Sequence, residues 1–405
     1  MTRLQNSPEK ILVPRGFSFS ALAAGIKASG RPDLALAEVE AGANAAALFT
    51  KNRVVAAPLE VGQASLRSTG GRVRALLVNS GNANCATGGQ GRRACERVCH
   101  EAAKLVGVKS TEVFPSSTGI IGVPFPAEKV LAALPELIAA KSQSEDAVLG
   151  FARAIMTTDT RPKIASARFE AGGKQVTLLG IAKGSGMIHP NLATMLVYLF
   201  TDIAASARDL KPLLREACDQ SLNAMSVDGD TSTNDTVLLL ASGQSTATLK
   251  ESKIRKQFAG TLTTVCHSLV EQIVSDGEGV QHVIRLQVEQ ARSREEALTV
   301  ARAIAHSALV KTAWAGADPN WGRILAAAGA CGVKLEPSRI RIFIADQMVC
   351  RNGVAHPFDE QRAHNALVQP DCDICVQLGR GKSSVRFLTT DLTAEYVRIN
   401  ADYST

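Results

Sequence analysis

Short runs of apolar residues, rich in valine, isoleucine and leucine, recur along the chain and predict β-strands. The predicted strands lie at 54–61, 73–78, 175–181, 195–200, 236–240, 282–288, 340–344 and 384–388. Several of these runs are continuously apolar, which is typical of strands that are buried on both faces of a sheet. The pattern therefore predicts sheets that are covered on both sides.

Between these runs, apolar positions recur every three or four residues and predict amphipathic helices. One such face in 91–106 comprises Cys95, Val98, Cys99, Ala102 and Leu105. Further helices are predicted at 127–140, 207–225, 251–274 and 293–305. In the last of these, Ser293 and Glu296 have the spacing of a capping box. Strands and helices that alternate in this way indicate a layered α/β (α+β) fold.

Length and composition support this interpretation. The chain has 405 residues, enough for roughly two to three average domains. Hydrophobic residues make up 45% and charged residues 20%, so neither a disordered chain nor a coiled coil is expected. No linker rich in proline or serine and no internal repeat interrupts the chain. We therefore do not expect loosely tethered domains.

The net charge of +7 comes from charges that are interspersed rather than grouped, and it indicates a mild preference for anionic small molecules. Aromatic residues are scarce, with 12 Phe, 3 Tyr and 2 Trp, whereas proteins that bind single-stranded nucleic acids need aromatic rings for base stacking. A nucleic-acid partner is therefore not expected.

The cysteines and the start of the chain bear on the cellular compartment. Nine cysteines are an odd number and are spread widely, which favours reduced thiols over a disulfide framework. The first residues show no pattern of a secretory signal, and no stretch of 18 apolar residues predicts a membrane span. We therefore expect a cytoplasmic protein without a membrane anchor.

Most familiar site motifs are missing from the sequence. The segment 379–383 resembles a phosphate-binding loop, but Val376 occupies the position of its first glycine, so a turn between two strands is predicted instead. Cys372 and Cys375 form a CxxC pair without a second ligand pair, and buried thiols on a strand are predicted. The acidic residues Asp228 and Asp230 lack the pattern of a calcium loop. We expect them, with Asp235, to form a structural turn and not a metal site.

The segment 183–196 carries unusual chemistry, because a loop with glycines and a proline leads directly into an apolar strand. At that junction the hydroxyl group of Thr194 can attack the carbonyl group of Ala193. An N→O acyl shift followed by hydrolysis would divide the chain into segments of 193 and 212 residues. The freed α-amine, with a pKa of about 7.7–8.0, could act as the base for the threonine hydroxyl. From the residues alone, the favoured interpretation of Thr194 is a polar residue at the start of a strand, because Ala-Thr pairs are common.

A series of segments in order resembles the ornithine acetyltransferases, also called glutamate N-acetyltransferases, of arginine biosynthesis. Beside 183–196, the segments similar to this family are 79–84, 114–122, 156–160, 226–235, 276–279, 318–323 and 400–405. The similarity spans nearly the whole chain. It implies an enzyme with an N-terminal-nucleophile-like sandwich that cleaves itself between Ala193 and Thr194. The domains would then be an alpha chain, 1–193, and a beta chain, 194–405, folded together into one unit.

The resemblance also assigns roles to residues. It implies that Thr194 is the nucleophile and that Thr118 and Gly119 form the oxyanion hole, whose donors stabilise the negative charge of the tetrahedral intermediate. The substrate-binding residues that it implies are Thr160, Lys183, Thr194, Glu278, Asn400 and Thr405. Thr157 is the alternative to Thr160. His189, five residues before the nucleophile, is not expected to be the base.

The activity that the resemblance implies is the transfer of an acetyl group from N2-acetylornithine to glutamate in two steps, through an acetyl-threonine. It implies a heterotetramer of two alpha and two beta chains, no metal and no bound cofactor, with acetyl-CoA as a conceivable second donor. Two alternatives remain open. One is an amidase or aminopeptidase of related design that uses water as the acceptor. The other is a basic, non-enzymatic binding module, which would remain a single chain.

Overall fold

The structure is a computed structural model that describes residues 10–171, 173–189 and 195–402. Within these ranges the larger of two sheets has eight strands. They are β1 (Phe17–Leu22), β2 (Leu34–Phe49), β3 (Arg72–Asn82), β4 (Val113–Ile120), β5 (Lys163–Ala171), β6 (Lys174–Lys183), β7 (Leu196–Thr201) and β8 (Thr236–Ala241).

The described part of the chain also contains eleven α-helices, which pack around the sheets. They are α1 (Ala57–Ser68), α2 (Gly88–Val106), α3 (Ala127–Ala139), α4 (Glu145–Ala154), α5 (Ala207–Gln220), α6 (Ser252–Val274), α7 (Arg294–Ala305), α8 (Ala308–Ala315), α9 (Trp321–Gly329), α10 (Glu360–Leu367) and α11 (Ala394–Asp402).

The larger sheet has the order β4-β3-β2-β8-β7-β6-β5, and β1 pairs with the first part of β2. Its central strands β7 and β8 run parallel and are buried along their whole length. On β7, Val197 and Leu199 belong to the core that α5 and α6 cover, whereas Tyr198 and Phe200 belong to the core on the opposite face. Hydrophobic burial on both faces explains the continuously apolar sequence of this strand.

The smaller sheet comprises β9 (Val283–Ala291), β10 (Arg341–Ile344), β11 (Gln347–Arg351), β12 (Val354–Ala355), β13 (Asp371–Gln377) and β14 (Ser383–Thr390). Its order is β12-β11-β10-β13-β9-β14, and the pair β9–β13 is parallel. Apolar residues of α7, α8, α9 and α10 form a second core with these strands. The predicted layered α/β (α+β) fold is confirmed by these two sheets and their helical layers.

Two local predictions are also confirmed, the cap of α7 and the turn between β13 and β14. The hydroxyl oxygen of Ser293 accepts a hydrogen bond from the backbone N–H of Glu296 at 3.2 Å and caps α7. The turn predicted at 379–383 lies between β13 and β14, which begins at Ser383. Of the two thiols predicted to be buried on β13, Cys372 is buried and Cys375 is only half-buried. Among the helices of the described ranges, none combines the length and the apolar character that crossing a bilayer requires.

The prediction of a strand at 54–61 is wrong, because α1 begins at Ala57. Proline is favoured in the first turn of a helix, where its missing N–H costs no hydrogen bond, and Pro58 lies in that turn. Glu60 in the same turn interacts favourably with the helix dipole. The buried positions then include Val61, Gly62 and Ser65, which have helical spacing. The valine-rich run at 54–61 therefore contains the start of a helix and not a strand.

Candidate active site

A cavity of about 270 Å³ lies where separate parts of the larger sheet and its loops meet. Its walls include Thr118 and Gly119 at the end of β4, Lys183 at the end of β6, and Met195, which precedes β7. The loop before β8, the turn that contains Glu278 and one face of α11 complete the lining. The volume suits a small polar molecule, since cavities for drug-sized ligands are usually larger, at about 300–1,000 Å³.

Thr118 and Gly119 are held by the parallel pairing of β4 with β3. Gly119 has a φ of +130°, and a Cβ atom at this position would lie 2.4 Å from the carbonyl carbon of Gly81 on β3. Only glycine permits this backbone approach without strain. The hydroxyl oxygen of Thr118 accepts a hydrogen bond of 3.3 Å from the ammonium group of Lys183. Two residues predicted for oxyanion stabilisation therefore lie beside the predicted substrate-binding lysine.

Behind Lys183, the carboxylate of Asp159 organises two turns of the cavity wall. It accepts hydrogen bonds from the backbone N–H of Gly184 at 2.7 Å and of Thr157 at 3.0 Å. Its third partner is the ammonium group of Lys163, 2.6 Å away, whose side chain has no exposed surface. Burial alone would raise the pKa of Asp159, but the positive charges of Lys163 and Lys183 outweigh it and hold the pKa well below its usual range.

Lys163 also contacts Asp276 at 2.5 Å, so that one buried cation joins two carboxylates. The main-chain oxygen of Asp276 accepts a hydrogen bond of 2.6 Å from the hydroxyl group of Ser185, and Ser185 accepts one from the N–H of Glu278. This network connects three turns of the cavity wall, which carry Thr157, Lys183 and Glu278. Its members are Asp159, Lys163, Asp276 and Ser185. The burial of Lys163 was not predictable from the sequence, because a lysine that begins a strand gives no local signal of burial.

The threonines of 156–160 have different environments. Thr157 and Thr158 line the cavity. Thr160 does not line it, and its hydroxyl and backbone N–H groups both donate hydrogen bonds to the carboxylate of Asp276. The geometry thus favours the alternative Thr157 as a substrate contact, and the role of Thr160 in substrate binding stays a prediction.

Glu278 and Asn400, two of the predicted substrate-binding residues, are in contact in the cavity wall. The side-chain amide of Asn400 on α11 donates a hydrogen bond of 2.8 Å to Glu278 Oε2. Gly186 permits this position of Glu278, since a Cβ atom at residue 186 would lie 2.3 Å from Oε2. The carboxylate therefore lies on a wall formed by three separate segments of the chain.

The acidic residues of 226–235 occupy distinct positions. Asp228 accepts hydrogen bonds from the backbone N–H groups of Met187 at 2.6 Å, Ile188 at 2.8 Å and Asp230 at 3.2 Å, which supports the predicted structural turn. Within the described ranges, no cluster of three or more His, Cys, Asp or Glu side chains could hold a metal ion. Asp235 is only 2% exposed and also lines the cavity, and burial raises its pKa well above the usual range.

His189 does not line the cavity. Its ring packs edge-on against the ring of His306, with centroids 4.2 Å apart. Burial and the charge of Arg302 lower the pKa of His189 to about 4, so the imidazole is neutral near pH 7. Ala193, Thr194 and Thr405 lie outside the described residues, and their predicted roles as cleavage site, nucleophile and substrate contact stay predictions.

Comparisons with known proteins agree with the resemblance seen in the sequence. A family model described as the ArgJ family matches residues 18–405. The arginine biosynthesis bifunctional protein ArgJ of Methylococcus capsulatus is 46% identical over 394 residues, which cover 96% of this chain and 95% of that protein. The protein of the same name from Thermus thermophilus is 44% identical over 395 residues, 98% of this chain and 100% of the relative.

Among solved structures, a chain of the arginine biosynthesis bifunctional protein ArgJ from Bacillus halodurans is 37% identical, with a TM-score of 0.43. The match covers 44% of this chain and 92% of that chain. The family assignment depends on the sequence matches, which extend over nearly the whole length. By these matches, and with the predicted residues Thr118, Gly119, Lys183, Glu278 and Asn400 gathered around one cavity, the chain belongs to the ArgJ family.

Proposed function

We propose that this protein transfers an acetyl group from N2-acetylornithine to glutamate through an acetyl-threonine at Thr194. One observation carries the proposal: residues from four distant segments, among them Thr118, Lys183, Glu278 and Asn400, line a single cavity of small-molecule size. Their chemistry suits an acylated amino acid, because the cavity offers a cation, a carboxylate and hydrogen-bond donors. The names of the relatives, which refer to arginine biosynthesis, support the same activity.

The substrates share an α-carboxylate, and the ammonium group of Lys183 is the cation in the cavity that can bind it. Glu278, positioned by Asn400, can bind the free side-chain amine of ornithine. A substrate held between these groups presents its amide carbonyl to Thr118, which lies 3.3 Å from the Lys183 ammonium group. The geometry therefore favours an amino-acid substrate over an unspecific amide.

In the first half-reaction the Thr194 hydroxyl group attacks the amide carbonyl, and ornithine leaves. The hydroxyl group of Thr118 and the backbone N–H of Gly119 stabilise the negative charge on the carbonyl oxygen, a contribution of about 3 kcal/mol for each donor. In the second half-reaction the α-amine of glutamate attacks the acetyl ester and regenerates the threonine. This is a double-displacement mechanism with a covalent intermediate.

The proposal includes maturation by cleavage between Ala193 and Thr194, which gives chains 1–193 and 194–405. Cleavage frees the α-amine of Thr194 as the base for its own hydroxyl group, so His189 is not required. We further propose a heterotetramer of two chains of each kind, located in the cytoplasm and active without a metal or bound cofactor. Acetyl-CoA is proposed as a second acetyl donor to glutamate.

Mass spectrometry of the purified protein and an assay with labelled N2-acetylornithine test this function. We expect two fragments that separate before Thr194, label bound to the fragment 194–405, and labelled N-acetylglutamate once glutamate is added. Thr194→Ala should stay uncut and inactive, whereas Thr264→Ala, at an exposed helical position, should match the wild type. Labelled acetate formed equally with and without glutamate would instead identify a hydrolase.

A separate assay with acetyl-CoA as the sole donor tests the second activity. Formation of N-acetylglutamate would establish it. No product, in an enzyme preparation that does use N2-acetylornithine, would limit the protein to acetyl transfer from that donor.

A further inference from the structure

Asn234 is a buried residue of the cavity wall to which the proposed mechanism assigns no role. It belongs to 226–235, one of the segments that resemble the family, and lies two positions before β8. The residue is 4% exposed and lines the cavity. Buried amide groups need hydrogen-bond partners, so the partners of this side chain show which parts of the protein it joins.

The side-chain amide of Asn234 is fully engaged within the protein. Its Nδ2 atom donates hydrogen bonds to the carbonyl oxygens of Ala83 at 2.6 Å and Ser117 at 2.9 Å. Its Oδ1 atom accepts a hydrogen bond of 2.7 Å from the hydroxyl group of Thr233. The reverse orientation of the amide would place Oδ1 against two carbonyl oxygens. An amide nitrogen has two N–H groups, so none remains for a substrate.

The two carbonyl groups are linked to the chain on either side of Thr118 and Gly119, here called the oxyanion pair. Ser117 directly precedes the pair on β4. Ala83 donates its backbone N–H to the carbonyl oxygen of Ile120 at 2.9 Å, and Ile120 directly follows the pair. The amide therefore holds β4 immediately before the oxyanion pair and, through Ala83, immediately after it.

The backbone of Asn234 is joined to the residue that follows the predicted nucleophile. Its carbonyl oxygen accepts a hydrogen bond of 3.2 Å from the hydroxyl group of Thr236. The N–H of Thr236 in turn donates to the carbonyl oxygen of Met195 at 3.1 Å. Met195 directly follows Thr194 in the sequence. Asn234 thus links the oxyanion pair to the chain beside the proposed nucleophile.

The larger sheet does not make this link directly. In its order, the strands β3 and β2 separate β4 from β8. The main-chain hydrogen bonds of the sheet therefore connect the oxyanion pair to β8 only through two intervening strands, and changes of twist or spacing add along that path. The side chain of Asn234 replaces this path by one residue.

We propose that Asn234 is a positioning residue that sets the distance between the oxyanion pair and the nucleophile. The inference rests on the acetyl transfer proposed above and adds to it the residue that aligns the oxyanion donors. Such donors lower the barrier when they point at the place that the oxyanion will occupy. A displacement of about 1 Å can lower the rate about 100-fold.

The variant Asn234→Ala of the whole protein tests this role, after mass spectrometry has established the state of cleavage. Single-turnover transfer of label from N2-acetylornithine should be slower by about 100-fold. The affinity for ornithine, measured by calorimetry, should be unchanged, because ornithine has no acetyl carbonyl group and does not use the oxyanion pair. A general loss of structure would instead weaken both.

Two further variants separate positioning from other effects. In the Thr118→Ala enzyme one of the two aligned donors is already absent, so the additional change Asn234→Ala should slow transfer less than it does in the wild type. Asn234→Gln keeps both N–H donors on a side chain that is longer by one methylene group. It should be faster than Asn234→Ala, and it takes the place of that variant in both measurements if Asn234→Ala does not fold.

A matched control is Asn44→Ala. The side-chain amide of Asn44 also donates to a carbonyl oxygen, that of Ala205 at 2.8 Å, but the residue does not line the cavity. This variant should keep the wild-type rate and the wild-type affinity for ornithine.

Three results for the Asn234 variants would overturn the positioning role: wild-type transfer rates, parallel losses of transfer and ornithine affinity, and losses that multiply with that of Thr118→Ala. Failure of both Asn234→Ala and Asn234→Gln to fold would assign the residue to stability alone and overturn it as well. A wild-type enzyme that transfers no acetyl group would contradict the proposed function itself, so the two failures can be distinguished.

Discussion

Replacement of Lys163 by methionine removes the cation of the buried network and keeps a long side chain. In the folded protein this ammonium group has no exposed surface and lies 2.6 Å from Asp159 and 2.5 Å from Asp276. The substitution leaves two carboxylates close together in the interior. Asp159 keeps its bonds from Thr157 and Gly184, and Asp276 keeps those from Thr160, so each carboxylate retains part of its stabilisation.

Removal of one partner from a buried ion pair typically costs about 3–5 kcal/mol, because the remaining charge is buried without compensation. Here two carboxylates lose a shared cation, so we expect a loss near the upper end, about 5 kcal/mol. Domains are usually stable by about 5–15 kcal/mol, so the variant should be marginally folded. The turns that carry Thr157, Lys183 and Glu278 should lose their common anchor.

Urea denaturation at pH 7 measures this loss, with Lys104→Met as the control, since Lys104 makes an exposed ion pair with Glu101 and its removal should leave the midpoint unchanged. The pH dependence has a definite sign. The folded pKa of Asp159 is held below its unfolded value of about 3.9, so this stabilisation is present above about pH 4 and is lost as the pH falls through the lower, folded pKa.

The difference in stability between the wild type and Lys163→Met should therefore be largest near neutral pH and shrink as the solution is acidified below pH 4. Equal denaturation midpoints at pH 7 would refute the assigned role of the buried cation. A difference in stability between the two proteins that widens below pH 4 would refute this role as well.

Four further substitutions test the cavity walls and the position of Thr160. Thr118→Ala should fold normally and lower kcat by about 10²–10³-fold, because one oxyanion donor is lost; unchanged turnover in a steady-state assay would exclude it from the oxyanion hole. Gly119→Ala places a Cβ atom 2.4 Å from the Gly81 carbonyl carbon at a φ of +130°, and should lower the melting temperature; wild-type thermal stability would contradict the packing of β4 on β3. Thr157→Ala should raise KM for both substrates, because Thr157 lines the cavity. Thr160→Ala should lower the stability of the protein, because its hydrogen bond to Asp276 is lost, and should leave KM unchanged. The opposite pattern in steady-state kinetics and unfolding assays would restore Thr160 as the substrate contact.

Much of the fold was predictable from the sequence, because buried segments leave recognisable patterns of apolar residues. The apolar stretches at 195–200 and 236–240 correspond to β7 and β8, whose residues are buried on both faces. Where the pattern was ambiguous, prediction failed. The valine-rich run at 54–61 also satisfies helical spacing, and the proline in its first turn decided in favour of α1. The long strand β2 was not predicted, because alanine, its commonest residue, favours neither the strand pattern nor the helix pattern strongly.

The candidate site was predictable as a set of residues and not as an arrangement. By itself, the sequence determined the family, through ordered segments that resemble it, and it predicted Thr118, Lys183, Glu278 and Asn400 as site residues. Only the tertiary structure decided that these residues share one cavity, that Thr157 and not Thr160 faces it, and that Lys163 and Asp235 are buried beside it. The physical reason is that local patterns record the spacing of apolar residues, whereas a buried ion pair depends on strand pairing between segments more than a hundred residues apart.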